Sequence, residues 1–351
     1  MQHHFGAKPA PIRSQPQRNA GKVRPRQHRH RLQTAVGEDL LGLGLTADNC
    51  GVTFLSPLRY PGGKGLLLRF VREIVLRNRL YGSTYVEPFA GGAAVALGLL
   101  RSGDVDHVII GDADPAIAAF WRAALQHPDE LRSLIEGCEV TIDTWHEQAH
   151  ALKHADPSET ITLGFAAFFL NRTNRSGILR ARPIGGLNQD GPYKLDCRFN
   201  KTNLIQRLSQ VSRLAHSITV YGGDAVDLLA HLTPDSSNTT FVYADPPYLT
   251  KSTDLYLDTM TFSRHQQLSS LLSANYAKWI VSYDCDPRIA QDLYPDCEIV
   301  QFDLRHSAGR SHRGKEVMVF SPQINPDSAA HLLHNPDWQR RHPTPVPQQS
   351  I

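Results

Sequence analysis

Residues 241–248 of the chain read FVYADPPY. The first four are apolar, β-branched or aromatic, which is typical of a buried strand, and the two prolines after the acid cannot continue a sheet ladder. We therefore predict that Asp245 lies at the carboxyl end of a strand, the edge of an open α/β sheet at which ligands bind. Asp245 and Tyr248 would then offer a hydrogen-bond acceptor and a flat aromatic face to a crevice. Taken alone, these residues are also typical of a strand followed by a tight turn with a surface aromatic residue, which would have no functional role.

Strands and helices alternate on both sides of this stretch. A strand at 84–86, a glycine loop at 87–92 and a helix at 93–100 form the arrangement that brings a nucleotide-like ligand against a helix N-terminus. The loop lacks the full Gly-x-Gly-x-x-Gly pattern, which argues against a nicotinamide cofactor. Further strands are predicted at 107–110, 217–221, 279–282, 299–304 and 317–320, and further helices at 116–125, 263–275 and 287–293. This alternation predicts a mainly parallel, doubly wound sheet with an antiparallel hairpin at its edge.

Acidic residues follow two more of the predicted strands. Asp112 stands about 20 residues beyond the glycine loop, the spacing at which an acid reaches a ribose hydroxyl. Asp114, followed by Pro115, has the pattern of a helix N-cap. Asp224 follows the strand at 217–221, where contact with a ligand and capping of the next helix are equally open.

The two ends of the chain differ in composition from its middle. The chain has 351 residues and a net charge of +3, but eight Lys or Arg precede Glu38, the first acidic residue. The opening segment, to residue 34, is also rich in Pro and Gln and has almost no large apolar residues, so we expect a disordered basic arm at 1–55. Such an arm either attracts nucleic acid or is a solvated tail. A second disordered tail is expected at 322–351, which is rich in Pro, His and Gln.

The cysteines and the hydropathy pattern indicate the cellular compartment of the protein. Five cysteines are scattered without a Cys-x-x-Cys pair, which disfavours structural zinc and favours free thiols in a reducing cytoplasm. No secretory signal or membrane-spanning run is recognisable. The expectation is a cytoplasmic protein with no membrane association and no metal.

Residues 126–216 interrupt the alternation of strands and helices. This stretch contains FFLNRTNRSG at 168–177 and then a polar, glycine-rich run to Asn203. Its arginines and lysines are interleaved with Asn, Gln and Tyr, a mixture suited to phosphate contacts and to hydrogen bonds with base edges. The alternative is a long solvated loop on an inserted subdomain. The candidate DNA-binding residues are Asn171, Arg172, Asn174, Arg175, Tyr193 and Lys194.

Together these motifs resemble the Dam-type family of DNA adenine-N6 methyltransferases. The motifs that carry the resemblance are YPGGK at 60–64, YVEPFAGG at 85–92, DADP at 112–115, NR at 171–172, Asp224, DPPY at 245–248 and GKEVMV at 314–319. They occur in the family's order between about residue 58 and residue 320. The resemblance implies an α/β fold, a Rossmann-like class I methyltransferase sheet with an inserted target-recognition subdomain. It also implies S-adenosylmethionine as methyl donor and duplex DNA as substrate.

The resemblance further divides the chain and assigns residues. The expected parts are an arm at 1–55, donor-binding core at 56–125, target recognition at 126–216, catalytic core at 217–321 and a tail at 322–351. The expected catalytic residues are Asp245, Pro246 and Tyr248. The expected donor-binding residues are Tyr60, Lys64, Glu87, Gly91, Asp112, Asp224 and Asp245. Tyr60 stands where the family often has Trp, and NRTNRSG departs from the commoner Asn-Arg-x-Gly form, which leaves the recognised DNA sequence open.

Three other functions use parts of the same pattern. Asp245 and the Pro246 carbonyl would accept the two hydrogens of an adenine amino group while Tyr248 stacks on the flipped base, but cytosine N4 fits the same geometry. A protein-glutamine methyltransferase would have Asn in place of Asp245. A non-catalytic DNA-binding protein would rely on the basic arm and the insertion alone. We expect a monomer, and whether a partner restriction nuclease exists stays open.

Overall fold

The computed structural model describes residues 55–59, 64–232, 240–249, 260–306 and 312–340. Within these ranges the strands are β1 Thr84–Glu87, β2 His107–Asp112, β3 Ile218–Gly222, β4 Thr240–Ala244, β5 Lys278–Asp284, β6 Glu298–His306, β7 His312–Phe320 and β8 His334–Arg340. The helices are α1 Leu68–Arg77, α2 Ala94–Ser102, α3 Pro115–Gln126, α4 Pro128–Gly137, α5 Ile142–His154, α6 Thr160–Thr173, α7 Lys201–Ser212, α8 Ala225–His231 and α9 Phe262–Asn275.

The strands form one sheet in the order β3-β2-β1-β4-β5-β7-β6-β8. The strands from β3 to β5 are parallel, whereas β7 runs antiparallel to both β5 and β6. This confirms the predicted Rossmann-like, mainly parallel sheet with an antiparallel hairpin. The strand order reverses between β1 and β4, so the crevice that such sheets use for ligands opens at the carboxyl ends of these two strands.

Strand β4 shows how the sheet is buried on both faces. Phe241 and Tyr243 belong to the apolar core beneath α1, α2 and α3, whereas Val242 and Ala244 belong to a second core with residues of α8 and α9. All four side chains are buried. A strand with apolar residues at every position is what a sheet covered by helices on both faces requires.

The insertion predicted at 126–216 is largely helical. It comprises α4 to α7, and α6 packs along α3 of the core, where the rings of Phe120 and Phe168 stack at 5.9 Å between centroids. Gly164 permits this approach, because a Cβ atom there would lie 2.9 Å from the Ala119 carbonyl oxygen. The insertion and the core belong to one compact unit.

The C-terminal part differs from the expectation of a disordered tail at 322–351. Residues 322–340 continue the fold, because β8 pairs antiparallel with β6 and forms the edge of the sheet. The Trp338 ring packs 6.1 Å from the ring of Phe320. Ile324, Ala329 and Leu333 are buried in the same core. These scattered apolar residues were hard to recognise among Pro, His and Asn, since the pairing of β8 with β6 is not visible in a local pattern. Residues 341–351 and the predicted arm up to residue 54 lie outside the described residues.

Two further expectations concern thiols and membranes. Cys138, Cys197, Cys285 and Cys297 are free thiols, as predicted, and Cys50 lies outside the described residues. Among the helices of the described ranges, none is both long and apolar enough to cross a bilayer.

Candidate active site

The carboxyl ends of β2, β1 and β4 bring three predicted acids to one edge of the sheet. Asp112 ends β2, Glu87 ends β1 and Asp245 directly follows β4. Because β1 lies between β2 and β4, the three carboxylates flank the point where the strand order reverses. The predicted acids from distant parts of the sequence therefore share one crevice.

The glycine loop is held by hydrogen bonds to two of these acids. Glu87 is buried and its Oε2 accepts from the Ala96 backbone N–H at 2.9 Å, in the first turn of α2. Asp112 Oδ2 accepts from the Gly91 N–H at 2.9 Å. Gly91 has a φ of 45°, a backbone conformation that favours glycine. The second oxygen of Asp112 accepts from the Asp114 N–H at 2.9 Å, so both oxygens are oriented by the backbone.

Burial dominates the electrostatics of both acids. It raises the pKa of Glu87 to about 8, with the nearby Asp245 adding to the rise and the Ala96 hydrogen bond opposing it. Burial raises the pKa of Asp112 to about 7, against the two backbone hydrogen bonds. Shifts of this size in a crevice are typical of functional sites.

One oxygen of Asp245 is fixed by two side chains that are distant in sequence. Ser282 Oγ, on β5, donates to Asp245 Oδ1 at 2.6 Å, and Lys64 Nζ lies 3.1 Å from the same oxygen. Oδ2 has no hydrogen-bond partner among the described residues. About a quarter of the Asp245 side chain is exposed, at 26%. The arrangement leaves Oδ2 available as an acceptor toward the crevice.

Lys64 links Asp245 to a second buried acid, Glu316 on β7. Its Nζ lies 3.1 Å and 3.0 Å from the two carboxylate oxygens of Glu316. The Tyr248 hydroxyl donates to Glu316 Oε1 at 2.5 Å, and Lys64 Nζ lies 5.4 Å from the Tyr248 ring centroid. Tyr248 is therefore anchored by its hydroxyl while its ring stays partly exposed.

The charges in this cluster compensate one another. Burial acts to lower the pKa of Lys64, but Asp245 and Glu316 outweigh it and raise that pKa well above the ordinary value. Lys64 is thus a permanent cation at neutral pH. Burial raises the pKa of Asp245, and Lys64 opposes this rise. The resemblance placed Lys64 in the donor pocket, and the structure places its ammonium group against the Asp245 carboxylate.

Two other predicted positions have local roles. Asp114 caps α3, as predicted, by accepting from the Ala116 N–H at 2.9 Å. Asp224 caps α8, and its carboxylate also forms an ion pair with Arg264 at 2.5 Å. It follows β3, which β2 and β1 separate from β4 in the sheet. Asp224 and Asp245 therefore do not lie at the ends of neighbouring strands. Tyr60 lies outside the described residues.

Two of the predicted DNA-binding residues lie in the interior. The Asn171 amide accepts from the Arg59 N–H at 2.7 Å and donates to the carbonyl oxygens of Arg59 and Gly177 at 2.6 Å and 2.9 Å. The Asn174 amide accepts from Trp145 Nε1 at 2.6 Å and donates to two backbone carbonyls of the following turn. Both side chains are buried, so these polar residues brace the insertion and do not face a ligand.

The other predicted DNA-binding residues divide between structure and surface. Arg172 donates through Nε to the Arg198 carbonyl oxygen at 2.8 Å and is half-buried. Arg175, Tyr193 and Lys194 are exposed, and 66% of Tyr193 is accessible to solvent. The exposed side chains belong to the loop between α6 and α7.

This loop is held in shape by Gln189. Its Nε2 donates to the carbonyl oxygens of Ile184 and Gly186 at 2.7 Å and 2.6 Å, and its Oε1 accepts from the Leu195 N–H at 2.8 Å. Gly185, with a φ of 85°, allows the close passage of the Tyr193 carbonyl oxygen, which would lie 2.7 Å from a Cβ atom. The exposed loop is therefore braced from within.

Sequence reasoning did not identify Ser282 and Glu316 as site residues. Glu316 lies inside the GKEVMV segment that contributed to the resemblance, and an acid within an apolar strand is a signal of a buried partner. Ser282 follows the apolar run of β5 and carries no comparable signal. Only the pairing of β5 with β4 and β7 shows that both residues face Asp245 and Lys64.

The sheet is mainly parallel, β7 runs antiparallel between β5 and β6, and an Asp-Pro-Pro-Tyr turn lies at the switch point. These features define a protein of the class I methyltransferase type. Comparison with family models matches residues 60–307 to the D12 class N6 adenine-specific DNA methyltransferase family. The match covers more than half of the chain, and the protein belongs to this family. It is an adenine-specific DNA methyltransferase.

The individual relatives share about a quarter of their aligned residues with this chain. The chain is 26% identical over 204 residues to the type II methyltransferase M.MjaIII of Methanocaldococcus jannaschii, covering 54% of this chain and 68% of the relative. It is 24% identical over 201 residues to the type II methyltransferase M.CviBI of Paramecium bursaria Chlorella virus NC1A, covering 57% and 72%. A Pyrococcus horikoshii structure provisionally described as an RNA methyltransferase aligns with 11% identity and a TM-score of 0.36, over 79% of this chain and 92% of that one.

Proposed function

We propose that this enzyme transfers a methyl group from S-adenosylmethionine to the N6 amino group of an adenine flipped out of duplex DNA. The observation that supports this most strongly is the geometry of Asp245. Ser282 and Lys64 hold Oδ1, Oδ2 is left as an acceptor, and the Pro246 carbonyl follows directly in the chain. An acceptor pair on a stiff Pro-Pro turn suits the two hydrogens of one exocyclic amino group.

The residues of the chain perform the positioning. Asp245 Oδ2 and the Pro246 carbonyl each accept one amino hydrogen, which favours a pyramidal nitrogen with its lone pair directed away from the ring. Tyr248, anchored through its hydroxyl, presents its ring for stacking on the flipped base and offsets part of the few kcal/mol that flipping costs. Lys64 orients the Asp245 carboxylate and opposes the rise of its pKa that burial causes, so little reorganisation accompanies the reaction.

The crevice suits S-adenosylmethionine. Glu87, Asp112 and Asp245 supply hydrogen-bond acceptors at this edge of the sheet, which suits a ribose diol and disfavours a pyrophosphate. Both Asp112 oxygens retain acceptor capacity beyond their backbone hydrogen bonds. When bound, the donor supplies an electrophilic methyl group to the nitrogen that Asp245 and Pro246 hold.

We further propose that the loop between α6 and α7 contacts the DNA. Arg175, Tyr193 and Lys194 are exposed on it, and the Gln189 brace reduces the entropy lost when the loop orders on a ligand. Arginine and lysine suit phosphates, and tyrosine suits a base or a sugar.

The test is incubation of the purified protein with labelled S-adenosylmethionine and mixed-sequence duplex DNA, followed by identification of the labelled nucleoside. We expect label in N6-methyladenine for the wild type. The Asp245→Ala variant should lose transfer by at least about 10²-fold while still folding. Asp143→Ala, which removes an exposed carboxylate on α5, is the matched control.

The outcomes separate the candidates. Label in N4-methylcytosine would retain the acceptor geometry and overturn the choice of base. Full transfer by Asp245→Ala would overturn the mechanism. Donor binding without label in any DNA would favour the non-catalytic DNA-binding function.

A further inference from the structure

Four arginines from separate parts of the fold meet at the base of the insertion. We call Arg59, Arg172, Arg198 and Arg207 the arginine cluster. Arg172 lies in the last turn of α6 and Arg207 on α7. Arg172 donates to the carbonyl oxygens of Arg198 and Pro57, at 2.8 Å and 3.4 Å. Arg207 Nη1 donates to the Ser56 carbonyl oxygen at 3.1 Å, and Arg59 follows in the same segment.

No acid compensates these charges within the described part of the chain. The hydrogen bonds of Arg172 and Arg207 go to backbone carbonyls, and no carboxylate lies within ion-pair distance of the cluster. Two guanidinium nitrogens, Arg59 Nη1 and Arg207 Nε, are buried and lack a hydrogen-bond partner among the described residues. Unpartnered donors of charged groups are costly, which is unusual for a purely structural cluster.

The electrostatics record the same imbalance. Burial lowers the pKa of Arg172 to about 9, and the positive charges of Arg59, Arg207 and Arg198 add to this. Since a guanidinium keeps its proton at neutral pH, the four charges persist and repel one another. Elsewhere in the fold Arg132, Arg264 and Arg288 each pair with an aspartate. An anion placed among the four arginines would relieve their repulsion.

On the basis of the proposed function, we propose that the arginine cluster binds a backbone phosphate of the DNA near the target base. The planar guanidinium fork matches phosphate oxygens, and S-adenosylmethionine carries no phosphate that could occupy the site. Arg59 stands five residues before Lys64, which contacts Asp245. Five residues span at most about 18 Å, roughly the length of five base pairs. The cluster therefore lies within reach of the strand that carries the flipped base.

The test is the salt dependence of DNA affinity for the wild type and for Arg198→Ala, measured by fluorescence anisotropy between about 50 and about 300 mM salt. Arg198 is suitable because its side chain is exposed and Arg172 uses only its backbone carbonyl. Loss of one phosphate contact should reduce the slope of log affinity against log salt by about 0.9 and the affinity at 0.1 M salt by roughly tenfold. Arg198→Lys should restore most of both.

Arg132→Ala is the matched control, because this exposed arginine of the insertion is already paired with Asp129 at 2.9 Å. Its slope should equal that of the wild type. An unchanged slope for Arg198→Ala would overturn the proposal, as would an equal decrease for Arg132→Ala. Stabilisation of the wild type by inorganic phosphate without any effect of Arg198→Ala on DNA would mean a free-phosphate site and would also overturn it.

Methyl incorporation by the wild type, measured on the same preparation, keeps this result separate from the proposed function. If the wild type methylates adenine and the slopes are equal, only the phosphate site fails. If the slope falls but no label enters DNA, the phosphate site stands and the proposed reaction fails.

Discussion

At the residue scale, Glu87 combines a structural and an electrostatic role. It is 7% exposed, and its Oε2 accepts a hydrogen bond from the first turn of α2. Burial raises its pKa from 4.5 to about 8. An acid with this pKa is protonated in the folded protein at neutral pH, whereas the unfolded chain has released the proton. Folding stability therefore depends on pH through this one side chain.

We predict that Glu87→Gln flattens this dependence. The contribution of the protonated acid is complete below about pH 4.5 and is lost as the pH rises through about 8, the two values that bound the window. Since each pKa unit corresponds to about 1.4 kcal/mol, the variant should gain up to several kcal/mol over the wild type between these limits. Chemical denaturation at about pH 5 and about pH 8.5 measures the difference. The exposed control Glu147→Gln should keep the pH dependence of the wild type. If the unfolding free energy of Glu87→Gln depends on pH in the same way as that of the wild type, the prediction is contradicted.

At the element scale, the end of α6 holds the insertion to the segment at 55–59. Asn171 makes three hydrogen bonds to backbone groups on both sides of this junction. Four residues later Arg175 is exposed on the loop that leads away from the helix. The same polar run therefore contains a brace and a candidate contact.

We predict opposite effects for these two residues. Asn171→Ala leaves buried backbone groups without partners and should lower the free energy of unfolding by about 1 to 3 kcal/mol. Arg175→Ala should leave stability unchanged and weaken DNA binding. Denaturant titration and DNA-binding isotherms on both variants make the comparison. Equal stability of Asn171→Ala and wild type would show that the amide is not needed as a brace.

A second prediction at this scale concerns β8. Trp338 is partly buried and packs on Phe320 from the edge strand. Trp338→Ala should cost about 1 to 3 kcal/mol, less than a fully buried tryptophan, and Trp338→Phe should retain most of that stability. Thermal unfolding of the two variants tests this. No difference between them would mean that β8 contributes little to the sheet.

At the scale of the whole molecule, charge is unevenly distributed along the chain. The net charge is +3, yet eight basic residues and no acid precede Glu38, so the remainder is slightly acidic. Within the fold, the arginine cluster concentrates positive charge at the base of the insertion. Positive charge away from the donor site can attract DNA without competing for a cationic donor.

We predict that removal of residues 1–50 leaves methyl transfer intact and reduces the salt dependence of DNA binding. The measurement is the slope of log affinity against log salt. If the arm and the arginine cluster act independently, the reductions from this deletion and from Arg198→Ala should add. An unchanged slope would mean that the arm does not contact phosphates.

The sequence by itself determined the sheet, the chain order of its elements and the position of Asp245, because these depend on local patterns. Apolar runs, prolines and glycines act over a few residues, and the resemblance extended them to the carboxyl edge of the sheet. The sequence could not distinguish the buried Asn171 and Asn174 from the exposed Arg175, since all three are polar residues in one run.

Only the tertiary structure decided which polar groups meet. Lys64 and Glu316 are 252 positions apart, and Ser282 is 37 positions from Asp245. Strand pairing brings them together, so no local pattern could identify them as partners. The same holds for the order of β8 and for the arginine cluster, because burial and charge compensation are properties of the assembled fold and not of any one segment.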